Sequence, residues 1–382
     1  MGNPTWDIHW ANVQVTEGSV EANTPVIDAA KTTVTYSVVL NIPGEYYEFT
    51  VDAVNSGTID GMIESITSKL NGATITNLPD YLEYTVSYYD GVALAVNHLL
   101  AANSTEKYRV RIKYRDDINL NQIPATNQTL TLQFTVKYKQ ATDNAIAVDH
   151  SFNGHSWETI INNIRSGNTN NYNVGDTKTV DMGTLGTHTL RIANKSTPSE
   201  CSTTGFSQTA CGFVLEFADI ITTHAMNSTD TNVGGWPASE MRTYVNSDIY
   251  NALPTELKNG IINTSVVSSH GNTSGETNFT STDKMYLLST KEVWGKEGTA
   301  NVINYDTAEA ETRQLDYYSS QNVTTSSYAR AIKQNNGSNS YWWLRSASSN
   351  SNSNFYRVSS NGDWGTNSSS GADGVSPAFR IG

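Results

Sequence analysis

Seven histidines stand at positions 9, 98, 150, 155, 188, 224 and 270 (His9, His98, His150, His155, His188, His224, His270), scattered rather than paired. Two imidazoles one helical turn apart around a glutamate would build a zinc hydrolase, but no HExxH occurs. No GxSxG elbow that would present a nucleophilic serine is present, and neither a P-loop nor a GxGxxG follows a strand pattern. Asp116 and Asp117 are adjacent, so on a strand they point to opposite faces and cannot act as a paired acid and base. Asn227–Asn232 (NSTDTN) offers oxygen ligands for calcium but lacks the glycine and closing glutamate of an EF-hand loop. A polar loop is expected there. Cys201 and Cys211 enclose nine residues that include Gly and Ser, enough to close a loop without strain. A disulfide and an oxidising compartment are expected, with two unpaired thiols as the alternative. No second Cys or His pair stands at zinc spacing. The sequence therefore predicts no catalytic group, no cofactor, no metal and no enzymatic activity.

The elements that would position anything else follow from size and composition. A chain of 382 residues exceeds one ordinary core, which points to two domains. With 37% hydrophobic and 16% charged residues, and 20 tyrosines, the composition suits β-rich folds with long polar loops. A net charge of −13, with none of the basic stripes those partners need, argues against nucleic acid or an anionic bilayer as partner. The one dense basic stretch, Lys107 to Arg115 (KYRVRIKYR), alternates basic and apolar residues as a strand with one wet face does. No apolar run of about 18 residues is present to span a membrane. The opening MGNPTWD reads as a start placed after a removed signal peptide.

Residues 1–148 alternate in period two at Thr32–Asn41, Tyr46–Val54, Leu82–Tyr88, Tyr108–Tyr114 and Leu130–Tyr138, which predicts an antiparallel β-sandwich of Ig-like or jelly-roll type. One interruption, Thr58–Leu70 (TIDGMIESITSKL), places Ile59, Met62, Ile63, Ile66 and Leu70 on one helical stripe and predicts a helix. The stretch PGEYYEFTVDAVNSGTIDGMI, with Trp10 and NVQVTEGSV before it, resembles the camelysin and TasA-like secreted proteins of Gram-positive bacteria. That resemblance implies export, and in some members the building of matrix fibres. Residues 139–150 lose the alternation and form a domain edge, so that 149–382 is a second domain. There Trp157–Arg165, Ala238–Tyr250 and Pro254–Ile262 read as helices and Lys284–Ser289 as a buried strand.

The C-terminal segment, about 341–382, carries the strongest pattern. Between Ala347 and Gly374, nine Ser and five Asn make up half of 28 residues, a composition that alone would mean a flexible tail. The rings of Phe355, Tyr356 and Trp364 inside that run argue for order, because each large apolar side chain contributes about 1.5–3 kcal/mol only when buried. Alternation at 355–360 suits a strand, with Gly362 marking the turn into Trp364.

WWLRS at 342–346, FYxV at 355–358, NGxW at 361–364 and GVxPAFRI at 374–381 together resemble the variable proteins of diversity-generating retroelements. The resemblance implies a C-type-lectin-like α+β domain, and an α+β chain overall. In that family, adenine-directed mutagenesis rewrites Asn-type codons and spares the scaffold. Carried over, the variable ligand-binding positions are Ser348, Asn350, Ser351, Asn352, Ser353, Asn354, Arg357, Ser359, Ser360, Asn361, Asp363, Gly365, Thr366, Asn367, Ser368, Ser370, Gly371 and Asp373. The scaffold positions are Trp342, Trp343, Leu344, Arg345, Phe355, Tyr356, Val358, Trp364 and Phe379, with Tyr356 and Trp364 also candidates for rigid contact area. Small polar side chains lose little entropy on binding and make adaptable hydrogen bonds, as in antibody loops. The expectation is an extracellular, bacterial cell-surface or phage-borne receptor or adhesin that binds an unidentified protein or glycan. The EPN-like and WND-like calcium motifs typical of sugar-binding lectins are absent, so the fold alone implies no carbohydrate. The rival expectation is a structural matrix or fibre subunit whose polar C-terminus is merely solvated.

Overall fold

The computed structural model describes residues 3–20, 23–118, 128–295 and 304–382. They are rich in β-strand, arranged in several antiparallel sheets. They fall into two compact units, Met1–His150 with Gly154–Thr159, and Ser151–Asn153 with Ile160–Gly382. Among the described residues no helix is long and apolar enough to cross a membrane.

The first unit contains β1 (Ile8–Gly18), β2 (Thr33–Leu40), β3 (Tyr46–Asn55), β4 (Gly61–Leu70), β5 (Leu82–Tyr88), β6 (Ser104–Tyr114) and β7 (Gln128–Gln140). One sheet runs β1-β3-β6-β5; the other is built on β2-β7-β4, and all these pairings are antiparallel. Every second residue of β2 (Val34, Tyr36, Val38, Leu40) is buried, so one face of each strand feeds a common core with Phe49 and Val51 of β3, Val110 and Ile112 of β6, and Leu132 and Phe134 of β7. Trp10 closes it, edge-on to Tyr108 and Phe134 at centroid distances of 5.5 and 5.1 Å. In the basic stretch, Tyr108, Val110, Ile112 and Tyr114 are buried. Three cations of the stretch pair with acids, Lys107 with Asp52 (2.9 Å), Arg111 with Glu48 (3.2 Å) and Lys113 with Asp116 (3.1 Å).

The helix expected over Thr58–Leu70 is a strand, β4. Opposite it, Val136 faces Ile66 and Tyr138 faces Ile63, so Glu64 is an extra residue without a partner on β7. This bulge brings Ile63 and Ile66, three apart, to the same core-facing side. A spacing of three in the sequence imitates a helix when a strand carries a bulge.

The second unit contains α1 (Trp157–Arg165) from Ile160 on, β8 (Thr177–Asp181), β9 (Thr187–Asn194), β10 (Val214–Phe217), β11 (Thr222–Ala225), α2 (Glu240–Tyr244), β12 (Thr264–Ser268), β13 (Phe279–Asp283), α3 (Thr290–Trp294), α4 (Asp316–Ser320), β14 (Trp342–Ala347), β15 (Asn354–Val358), β16 (Trp364–Ser368), β17 (Ala372–Val375) and β18 (Ala378–Arg380). Ser239 caps α2, which continues through a π-turn at Val245–Ile249 into Tyr250–Ala252. The helix expected over Pro254–Ile262 is confined to Thr255–Lys258. Lys284–Ser289 is largely buried as expected, but it is not a ladder strand, since Tyr286 alone makes a bridge there, to Ala378. Cys201 and Cys211 are joined in a disulfide.

Two sheets matter for the C-terminal surface. One runs β8-β9-β10-β18 and the other β11-β17-β14-β15-β16. β17 lies between β11 and β14, antiparallel to the first and parallel to the second, and β18 then completes the other sheet. Residues 372–380 therefore stitch both sheets together.

Candidate functional site

The candidate site rests on a buried polar frame. Arg345 sits in a strand otherwise made of apolar and small residues, and its guanidinium meets the Glu292 carboxylate in a two-pronged pair, both contacts at 2.6 Å. Its remaining donors reach the Leu287 and Val267 carbonyls at 2.9 and 3.2 Å. Glu292 also caps its own helix, α3, reciprocally with Ser289, and accepts from Thr209 and Thr312. Burial opposes ionisation of Glu292, but the Arg345 charge and these hydrogen bonds outweigh it and hold the carboxyl below its ordinary value. The next residue, Ser346, donates to Asp306 at 2.5 Å.

A second buried network lies under β14. Glu216 of β10 pairs with Arg191 at 2.7 Å and Lys333 at 2.8 Å, and accepts from the Tyr318 hydroxyl at 2.9 Å. The Lys333 ammonium spends its other protons on the Phe217 carbonyl and the Ser376 hydroxyl, beneath the Trp342 ring. Burial pulls Lys333 down to about 8 against the pull of Glu216, whose carboxyl is held below the usual range by Arg191 and Lys333 despite its own burial. Around these networks Trp342, Trp343, Leu344, Phe355, Tyr356, Val358 and Phe379 are all buried.

The polar loops hang from this frame by their backbones. Asn232 Nδ2 donates to the carbonyls of Ser348, Ser351 and Asn354 at 3.4, 2.9 and 2.9 Å, while its N–H donates to Asn352 O at 2.9 Å. The Asn272 N–H holds Ser351 O from the other side. The loop after β16 is tied to the same strut. Ser369 O accepts from the Asn227 N–H, Ser369 Oγ from the Thr231 N–H, and Ser368 Oγ donates to Asp230. The segment Asn227–Asn232, a polar loop in the sequence, is the clamp on both loops. Two glycines permit the tight approaches. Gly362 turns the chain with φ at +93°, and a Cβ there would lie 2.2 Å from Tyr328 O; at Gly374 one would meet Tyr341 O at 2.7 Å.

Of the eighteen positions expected to vary, Ser348 and Asp373 are buried. The other sixteen, Asn350, Ser351, Asn352, Ser353, Asn354, Arg357, Ser359, Ser360, Asn361, Asp363, Gly365, Thr366, Asn367, Ser368, Ser370 and Gly371, are all at least partly exposed. Asp373 accepts from Arg357 Nη1 at 3.0 Å and from Asn367 Nδ2 at 3.0 Å, and the Arg357 guanidinium lies 4.1 Å above the Tyr341 ring. Trp364 departs from the scaffold expectation, being 46% exposed. It sits on β16, an edge strand with a neighbour on one side only, and leans on Tyr356 at 6.3 Å between centroids. Tyr356, a candidate for contact area, is buried instead. The exposed rings of this surface include Trp364 and Tyr341.

Most of this frame, though not Arg191 or Thr209, and all of the surface lie inside one recognisable segment. Residues 213–382 match the family described as Domain of unknown function (DUF6273). The match starts at the edge of β10 and takes in both loops, their clamp and the Arg345–Glu292 pair. No curated protein and no solved structure matches the chain.

Sequence reasoning missed Asn232 and Glu292 as supports. Glu292 was findable, because Ser289-Thr290-Lys291-Glu292 spells a capping box and a buried arginine at 345 demands an acid. It also missed a cluster in the first unit. Asp90, His150 and His155 place one ligand atom each within 4.8 Å of one another. Asp90 lies 60 and 65 residues from the two histidines, so no spacing rule brings them together.

Proposed function

We propose that the chain is an extracellular ligand-binding protein of receptor or adhesin type rather than an enzyme. Its second unit is read as a C-type-lectin-like α+β domain whose C-terminal surface is diversified by a retroelement, and its first as an Ig-like or jelly-roll β-sandwich that displays it. The observation that carries this reading is the separation of roles along one segment. Sixteen of the eighteen positions reach solvent, fourteen of them with polar side chains and two as glycines, while the backbone they hang from is tied to buried residues. Such a surface changes its chemistry without changing its fold, since surface substitutions away from packed features cost only about 0.5 kcal/mol or less. Trp364 and Tyr341 supply large exposed contact area with few rotamers, and the partner is a protein or glycan met by shape and many modest contacts.

Sequencing the last stretch of the gene in sibling strains tests the reading. Differences concentrated at the sixteen exposed positions, with Trp342, Arg345, Phe355 and Phe379 constant, are expected. Uniform identity across strains, together with no neighbouring reverse transcriptase gene, overturns diversification. Filaments of the purified protein under the electron microscope would favour a matrix subunit instead.

A further inference from the structure

The first unit holds a ligand cluster of a different kind, independent of the C-terminal surface. Asp90 follows β5 in a turn where Gly91 takes φ +93°. Its Oδ1 accepts the Val92 N–H at 3.2 Å, which leaves Oδ2 facing two imidazoles, 2.6 Å from His150 Nδ1 and 3.1 Å from His155 Nε2. Behind His150, its other nitrogen Nε2 lies 4.0 Å from Glu106 Oε2. The His155 side chain is wholly buried, whereas Asp90 and His150 keep 16% and 29% of theirs exposed, so the cluster opens on one side.

Two nitrogens aimed at one carboxylate oxygen share it only if each carries a proton on that side. One divalent cation replaces both protons and satisfies all three atoms. Ligands about 2.0–2.2 Å from a tetrahedral ion stand roughly 3.3 Å apart. The His155–Asp90 separation already matches this within 0.2 Å, and the His150–Asp90 pair needs to open by several tenths of an ångström. A carboxylate that accepts from the distal nitrogen of a ligating histidine fixes its tautomer, and Glu106, 4.0 Å from His150 Nε2, stands on that side, a short shift from hydrogen-bond reach.

We propose that Asp90, His150 and His155 form a binding site for a borderline divalent transition ion of the zinc class, with Glu106 as a positioning residue for His150. Two imidazoles and one carboxylate disfavour calcium and magnesium, which take oxygen ligands. Three protein ligands and an open side leave the fourth position to water or an external group.

The test uses the full chain, tag-free and treated with chelator, titrated with Zn²⁺ in a calorimeter and with Co²⁺ by visible absorption. One equivalent per chain is expected, with cobalt bands of tetrahedral intensity and two shifted imidazole N–H resonances in the proton NMR spectrum. His150→Gln, at a partly exposed position, and Asp90→Asn should each weaken binding by at least about 100-fold, and Glu106→Gln by roughly 10-fold with unchanged stability of the metal-free chain. His9→Gln should leave it unaltered. No stoichiometric uptake, no imidazole resonances in the cobalt form, or full affinity in both His150→Gln and Asp90→Asn would overturn the site. Full affinity in Glu106→Gln removes Glu106 from it.

Discussion

Replacing Asn232 by alanine removes the donor that gathers the Ser348, Ser351 and Asn354 carbonyls and leaves the side chains of the exposed surface unchanged. Two of those contacts, both at 2.9 Å, are full hydrogen bonds. Each is worth about 0.5–1.5 kcal/mol net, and carbonyls left behind without a partner add to the loss, so the total is roughly 2–4 kcal/mol. At roughly 2–4 °C per kcal/mol for a domain of about 150–250 residues, the second unit should melt about 5–15 °C lower. Asn232→Asp keeps the shape but turns an oxygen toward the carbonyls, so it should cost at least as much as alanine. That comparison separates lost donors from lost packing. Calorimetry gives the melting temperature, and hydrogen exchange resolves the location. Faster exchange is expected at 348–354, with β8 and β9 unchanged. A loss under about 1 kcal/mol in both variants, with unaltered exchange in that loop, would refute the idea that Asn232 holds the surface in place.

Arg345→Met should cost about 3–5 kcal/mol by stranding the Glu292 charge, and Arg345→Met with Glu292→Leu should recover much of it; equal losses in denaturant melts would contradict the pairing. Glu292 and Glu216 are both held below their ordinary value of 4.5, so the unfolded chain binds more protons there and their stabilisation, complete above that pH, is lost as pH falls through and below it. Acid titration by circular dichroism should show the unfolding begin below about pH 4.5 and flatten in the Arg345/Glu292 double variant. A library randomised at the exposed positions other than Arg357 and Asn367, the donors to Asp373, should stay mostly folded, while Asp373→Ala, which strands Arg357, should cost about 1–3 kcal/mol, measured by proteolysis of displayed clones. Replacing Cys201 and Cys211 by serine should cost roughly 2–3 kcal/mol for a loop this short, read from the denaturation midpoint.

Most of the first unit was legible because its strands bury alternate residues. Val34, Tyr36, Val38 and Leu40 announce β2 by themselves. β4 was not, since the pattern of one strand does not reveal a bulge against its partner. In the C-terminal segment, the rings within a polar run were enough to expect order, because burial is what makes aromatics useful to a fold. What the sequence does not carry is which edge a residue occupies. Trp364 has the same chemistry as Trp342, and only its place on an outer strand leaves it exposed. Asn232 and Asp90 were hidden for a related reason. Both act across more than 50 residues, on carbonyls in one case and on imidazoles in the other, and neither partner has a local signature.

The position of β17 and β18 after the polar loops has a consequence for how errors are handled. Any stop codon or frameshift between 348 and 371 deletes at least β17, an interior strand of one sheet, and β18, the closing strand of the other. Such a product is not a shorter binder but an unfinished fold with both sheets incomplete. For a gene rewritten as proposed, every copy must be read through its altered stretch before it yields a protein that survives proteases. Foldability then discards truncated copies before any of them meets a target.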